Sequence, residues 1–283
     1  MFYALMIAYG FVGLVIGSFL NVVIDRVPAK ESLLHPPSHC PACGRRLAPP
    51  DMVPILSYLI LRGRCRTCGA RIPARILIVE IMTPLLFLLL LWLYGPTLQT
   101  LLYTFYCCVL LAIMVIDLDH MIIPNAISLP ATGVALAVVP LNAWGAQPLF
   151  VYYGFLWLWR TSHGKPRLSP SLLSAYGQIL GGVVALAIFA ILWFAVLKLA
   201  RVEAMGFGDV KLAAFCGLIT GYPAVLLVIA GSFILGGMTA TVLLLTGRAG
   251  RKTPIPFAPF MVVATFFVLI FGEPILRWWL GYG

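Results

Sequence analysis

Apolar runs of about 20 residues recur along the chain, near residues 3–24, 76–94, 98–116, 126–144, 174–199, 223–246 and 256–276. A helix of that length crosses the hydrocarbon core of a bilayer, and a chain in lipid must satisfy its backbone polar groups internally. The pattern therefore predicts an all-α polytopic membrane protein. A shorter run near 208–221 brings the expected number of transmembrane helices to about eight, the short one reading as a thin or partly unwound helix beside a cavity. Composition agrees: 62% hydrophobic residues, 10% charged residues and a mean hydropathy of +1.03 do not describe a solvated globular domain.

Charge sets the expected orientation. The loops 25–75, 117–125, 200–210 and 247–255, with the flanking Lys198 and Lys211, carry 15 of the 19 Lys and Arg. Arg160, Lys165, Arg167 and Arg277 fall on the other side. The positive-inside rule places the charged loops in the cytoplasm and both termini outside. The net charge of +10 then reflects topology and contact with the anionic lipid bilayer, and gives no sign of nucleic-acid binding. No basic segment precedes the first run and no small-residue cleavage pattern follows it, so it reads as an anchor. The resulting organisation is a first span over 1–24, a polar cytoplasmic segment over 25–75 and a membrane domain over 76–283. Within the last, 145–173 is an aromatic and basic insert, with Phe150, Tyr152, Tyr153, Phe155, Trp157 and Trp159, of the kind that lies in the interfacial belt.

Only nine Asp and Glu occur, and an acid at the edge of a span is costly enough to be a functional candidate. Asp209 lies in Gly206-Phe207-Gly208-Asp209-Val210-Lys211, where the two glycines let other backbone approach the carboxylate. Helix capping by Asp is the plainer reading of that stretch. A second acidic stretch, Asp117-Leu118-Asp119-His120, also interrupts apolar sequence. Two carboxyls brought together cannot both ionise easily, so one keeps a proton and the other serves as a base, the arrangement of an aspartic protease. Asp117 and Asp119 point about 200° apart on a helix, so they do not share one site. His120 reads as an interfacial residue or as one that tunes the pair. The competing class is a transporter or proton-relay protein using the same acids, but no internal repeat with matching broken spans accompanies them.

Cys40-Pro41-Ala42-Cys43 and Cys65-Arg66-Thr67-Cys68 are two Cys-x-x-Cys knuckles in the polar segment. Each offers two thiolates to one tetrahedral metal, and zinc in a closed four-thiolate site is structural. A redox pair or a metal-free loop remain the alternatives; His35 and His39 are not needed as ligands. Cys107, Cys108 and Cys216 lie in apolar runs and read as small hydrophobes.

The chain resembles the prepilin peptidases, or type IV leader peptidases, which are Gly-x-Gly-Asp intramembrane aspartyl proteases. The resemblance rests on Gly17-Ser18-Phe19-Leu20-Asn21-Val22 with Arg26 and Pro28, the segment Cys40 to Cys68, Val79-Glu80, Asp117 to Asn125, and Met205 to Leu212. It implies that Asp117, seven residues before Pro124, and Asp209 are the catalytic acids, supported by Gly206, Gly208 and Lys211. It implies leader cleavage of prepilin or pseudopilin precursors at the cytoplasmic face of the bacterial inner membrane, with both termini periplasmic. It further implies N-methylation of the new amino terminus from S-adenosylmethionine, associated with the cysteine segment and the neighbourhood of Arg75 and Glu80; no nucleotide-binding glycine fingerprint adds to that. Glu80 reads first as the partner of a cation near the interface. Gly17, Ser18 and Asn21 form a small polar face suited to helix packing or to substrate. Asp25, Glu31, Asp51, Asp119 and Glu203 are the acids available to receive a basic leader. Met52 and the 145–173 insert depart from the family pattern.

Overall fold

A computed structural model describes residues 2–142, 170–200, 206–248, 250 and 253–279. Among these residues the regular structure is helical, with isolated β-bridges and no strands. The expected insert at 145–173 falls, up to residue 169, outside the described residues, as does Glu203. Five described helices are long and apolar enough to cross a membrane, and two shorter apolar ones accompany them. The chain divides into two compact units, Met1–Ala112 and Ile113–Gly283.

In the first unit, α1 (Phe2–Ala29) packs on α3 (Ala74–Tyr94), and the short α2 (Leu56–Ile60) lies in the polar segment between them in sequence. α1 runs past residue 24, so Asp25 and Arg26 belong to a helix rather than to a loop. Lipid supplies no hydrophobic force between helices, so close backbone approach and interhelical hydrogen bonds must join them. Gly17 supplies the approach: a Cβ there would sit 3.2 Å from Thr83 Cβ and 3.3 Å from Glu80 Cα. Asn21 supplies the bond, its Nδ2 donating to Ile76 O at 3.1 Å. The small polar face is thus a packing face.

The boundary between the units falls inside α4 (Leu98–His120). The second unit continues with α5 (Asn125–Asn142), α6 (Pro170–Ala200), α7 (Phe207–Thr220), α8 (Ala224–Leu245) and α9 (Ala258–Trp279). α7 is its centre and touches α5, α6, α8 and α9. Val210, Leu212, Ala213, Phe215 and Cys216 are all buried on it, as expected of a helix that is apolar all round. Its fourteen residues match the short run seen in sequence and form regular α-helix, bounded by Gly206 at the N-cap and Gly221 at the C-cap. The Gly181–Gly217 contact seats it against α6 so closely that a Cβ on either would collide with the other's carbonyl oxygen. Outward faces elsewhere are apolar too: Ile7 is 75% exposed and Trp92 67%. Such surfaces are tolerable only where lipid covers them.

Candidate functional site

α4 ends one turn beyond Asp117. Met121 takes a left-handed conformation with φ 55° and donates its N–H to Asp117 O at 2.9 Å, a C-terminal cap that turns the chain. Residues 121–124 then lead into α5, and Ile123 of this turn lies against the start of α7. A Cβ on Gly208 would meet Ile123 Cβ at 3.0 Å, so only glycine admits the contact without displacement. Lys211 adds a bond from the next turn of α7, its Nζ donating to Asn125 Oδ1 at 2.8 Å. Its ammonium also lies 5.0 Å from the Phe207 ring centroid. Gly206 is the α7 N-cap, and a side chain there would meet nothing closer than 3.9 Å.

The contact of Ile123 with Gly208 thereby sets the turn after Asp117 against the residue before Asp209, 92 residues further along the sequence. Both acids are buried, Asp117 at 5% and Asp209 at 8% exposure, whereas Asp119 and His120 are exposed. Asp209 occupies the first turn of α7, where its carboxylate accepts the Gly206 N–H, so it caps the helix as well as interacting with Asp117. Asp117 Oδ2 accepts the N–H of Ala258 at 3.2 Å. Ala258 opens α9, so the positive end of a helix dipole also favours negative charge at Asp117. Phe257, just before it, is fixed by ring contacts to Phe189 of α6 at 5.9 Å and Phe233 of α8 at 5.4 Å. Ile123, Asn125, Phe257 and Ala258 are site residues that sequence reasoning missed. A backbone N–H leaves no mark in residue type, and the hint was only the prolines at 254 and 256 preceding a helix.

In the first unit, Sγ of Cys40, Cys43, Cys65 and Cys68 all lie within 4.8 Å of one another. Cys40 Sγ and Cys68 Sγ are 3.9 Å apart, close to the edge of about 3.8 Å that a tetrahedron with Zn–S bonds of about 2.3 Å requires. The residues fit the metal. Both knuckles have the same backbone: Cys40 N–H bonds Arg45 O and Cys65 N–H bonds Ala70 O; Gly44 N–H bonds Cys40 O and Gly69 N–H bonds Cys65 O. Gly44 and Gly69 have φ of 69° and 68°, which explains why glycine follows each second cysteine. The N–H groups of Cys68 and then Thr67 pull the Cys65 thiol down to about 6. Ala70 N–H acts likewise on Cys68, but desolvation and the neighbouring thiols outweigh it and hold Cys68 up at about 11.

Asp51 joins the knuckles. It accepts Arg66 Nε at 2.8 Å and lies 3.4 Å from the Arg45 guanidinium, with its side chain only 4% exposed. Its carboxylate is therefore already engaged by two guanidiniums. Asp25 is likewise paired, with Arg75. Glu80, expected to pair with a cation, instead accepts Ile55 N–H at 2.7 Å and the Ser18 hydroxyl. Ile55 has φ 63°, a conformation β-branched residues rarely adopt, and Leu56 N–H closes a tight turn on Pro54 O at 2.6 Å. The buried Glu80 carboxylate holds that turn.

Residues 11–94 match the family described as Bacterial Peptidase A24 N-terminal domain, and residues 104–241 match the Type IV leader peptidase family. Among similar proteins, the prepilin leader peptidase/N-methyltransferase of Aeromonas hydrophila is 31% identical over 291 residues, covering 94% of this chain and 91% of that protein. Its namesake in Pseudomonas aeruginosa is 31% identical over 294 residues, covering 95% and 91%. The namesake in Bacillus subtilis is 29% identical over 271 residues, covering 95% of each. No solved structure matches the chain. With matches to both parts of the family's architecture and relatives aligned over nearly its whole length, the chain belongs to the type IV leader peptidase family.

Proposed function

We propose that Asp117 and Asp209 are the catalytic pair of a membrane aspartic endopeptidase that removes the leader from type IV prepilins or pseudopilins at the cytoplasmic face of the membrane. The observation that carries this reading is the burial of two mutually interacting carboxyls, one of them on the N-terminus of α9. The Ala258 N–H favours the ionised form of Asp117, which makes it the base that takes a proton from water. Asp209 keeps the shared proton and hydrogen-bonds the scissile carbonyl oxygen. Attack of the water gives a tetrahedral intermediate, and its collapse sends a proton to the leaving amine. Family membership disfavours the ion-relay reading.

The four cysteines would hold one Zn²⁺, which supplies a crosslink between the knuckles and no step of cleavage. We extend to this chain the N-methyltransferase activity in its relatives' names, with S-adenosylmethionine as the methyl donor. Arg75 and Glu80 then act as positioning residues, since one is tied to Asp25 and the other to the Ile55 turn.

The test is cleavage of a prepilin by the full chain reconstituted in lipid. Asp117→Asn and Asp209→Asn, near-isosteric but unable to exchange the proton, are each expected to abolish cleavage while the protein still inserts. Asp119→Asn is expected to retain it. Near wild-type turnover by either of the first two variants would refute the pair.

A further inference from the structure

We propose that the arginine-lined cavity at the membrane end of the cysteine module binds the headgroup of an anionic phospholipid. The cavity has a volume of about 570 Å³, and Tyr58, Arg62, Arg64, Arg71, Ile72 and Ala74 are among its lining residues. Ala74 is the first residue of α3, a candidate membrane span, so the cavity opens where the chain meets the bilayer surface. Arg64 and Arg71 are paired in an antiparallel bridge, and like charges set directly opposite destabilise such a pair. Neither they nor Arg62 forms an ion pair among the described residues, although Arg45 and Arg66 share Asp51 and Arg75 holds Asp25. Three exposed guanidiniums on one wall without a protein counterion call for an anion from outside.

Apolar neighbours identify its source. Met52, Val53, Leu56, Leu59 and Ile60 are all exposed, Ile60 at 74%, and α2 carries three of them immediately before the arginines. Tyr58 of the same helix donates its hydroxyl to Ile72 O across the cavity wall. A short apolar helix beside clustered arginines is the combination that seats a segment at the headgroup level, with side chains in the acyl boundary and cations on phosphates. A basic leader would be repelled from this wall, and S-adenosylmethionine, a net cation, is a poor match for it. The site is independent of the proposed catalytic pair.

The experiment follows amide exchange of residues 55–72 in the full chain in neutral detergent micelles titrated with phosphatidylglycerol, phosphatidylcholine, inorganic phosphate or S-adenosylmethionine. Phosphatidylglycerol alone is expected to slow exchange. Each guanidinium near an anionic surface is worth about a fivefold change in affinity, so Arg62→Gln/Arg64→Gln/Arg71→Gln should raise the titration midpoint about a hundredfold. Arg46→Gln, outside the cavity, should leave the midpoint in place. If the triple variant loses zinc, the three single variants decide, each with an expected shift of about fivefold. Equal protection by phosphatidylcholine, protection by phosphate or S-adenosylmethionine instead of the lipid, or an unmoved midpoint in the arginine variants would overturn the assignment.

Discussion

Asp117 owes its proposed role to a bond that can be removed without touching the carboxylate. Ala258 is the first residue of α9, where proline is compatible with the helix but has no N–H. Ala258→Pro is therefore expected to lower the cleavage rate about 10- to 100-fold, the worth of one hydrogen bond to a charged group at about 1.5–3 kcal/mol. Circular dichroism should show unchanged helix content, and a rate unaffected by the change would remove Ala258 from the mechanism. The acids themselves were legible in the sequence because charge is so scarce that two polar interruptions stand out. Their environment was not, since Ala258 and Ile123 act through a backbone N–H and a methylene surface that many residue types provide. Pairing among the surface acids was equally hidden: Asp25 meets Arg75 fifty residues away only because α1 packs on α3.

Two elements are held in place by contacts of different strength. At the start of α7, Gly208→Ala should depress cleavage more than Gly206→Ala, because the new Cβ lies 3.0 Å from Ile123 in the first case and at least 3.9 Å from any neighbour in the second. Equal losses in a side-by-side assay would show that the Ile123 contact does not set the position of Asp209. The knuckles are different, because metal dominates. A structural zinc contributes on the order of 10 kcal/mol, whereas a partly exposed ion pair such as Arg75–Asp25 contributes about 0–1 kcal/mol. Metal analysis of the purified chain is expected to give one Zn²⁺, and stripping it should unfold the knuckles while leaving the membrane helices intact. Thiolate ligation fixes the sign of the pH dependence: binding releases thiol protons, so the affinity for zinc is expected to fall on acidification. An affinity that does not change with pH would contradict the thiolate site. Cysteine spacing made the site readable; the matching turns closed by Gly44 and Gly69 repeat along the chain but carry no apolar period.

At the scale of the whole molecule, alternating charge and apolar runs predict which loops share a side. Single reporter cysteines at residues 120 and 250 should resist a membrane-impermeant label in intact cells, and one at residue 165 should react. Labelling at 120 from outside would place Asp117 on the wrong face for a cytoplasmic leader. Run length was a good guide to where helices lie and a poorer one to what they do. α5 contains Pro130 and Pro140, and the short α7 is enclosed by four helices. That enclosure also has a consequence for biogenesis. The donor to Asp117 comes from α9, which leaves the ribosome after both acids have been made. A nascent chain with both aspartates inserted but α9 still in the exit tunnel has an unfinished site. With that hydrogen bond missing, the proposed protease works about 10- to 100-fold below its full rate until α9 docks, a delay built into the order of synthesis.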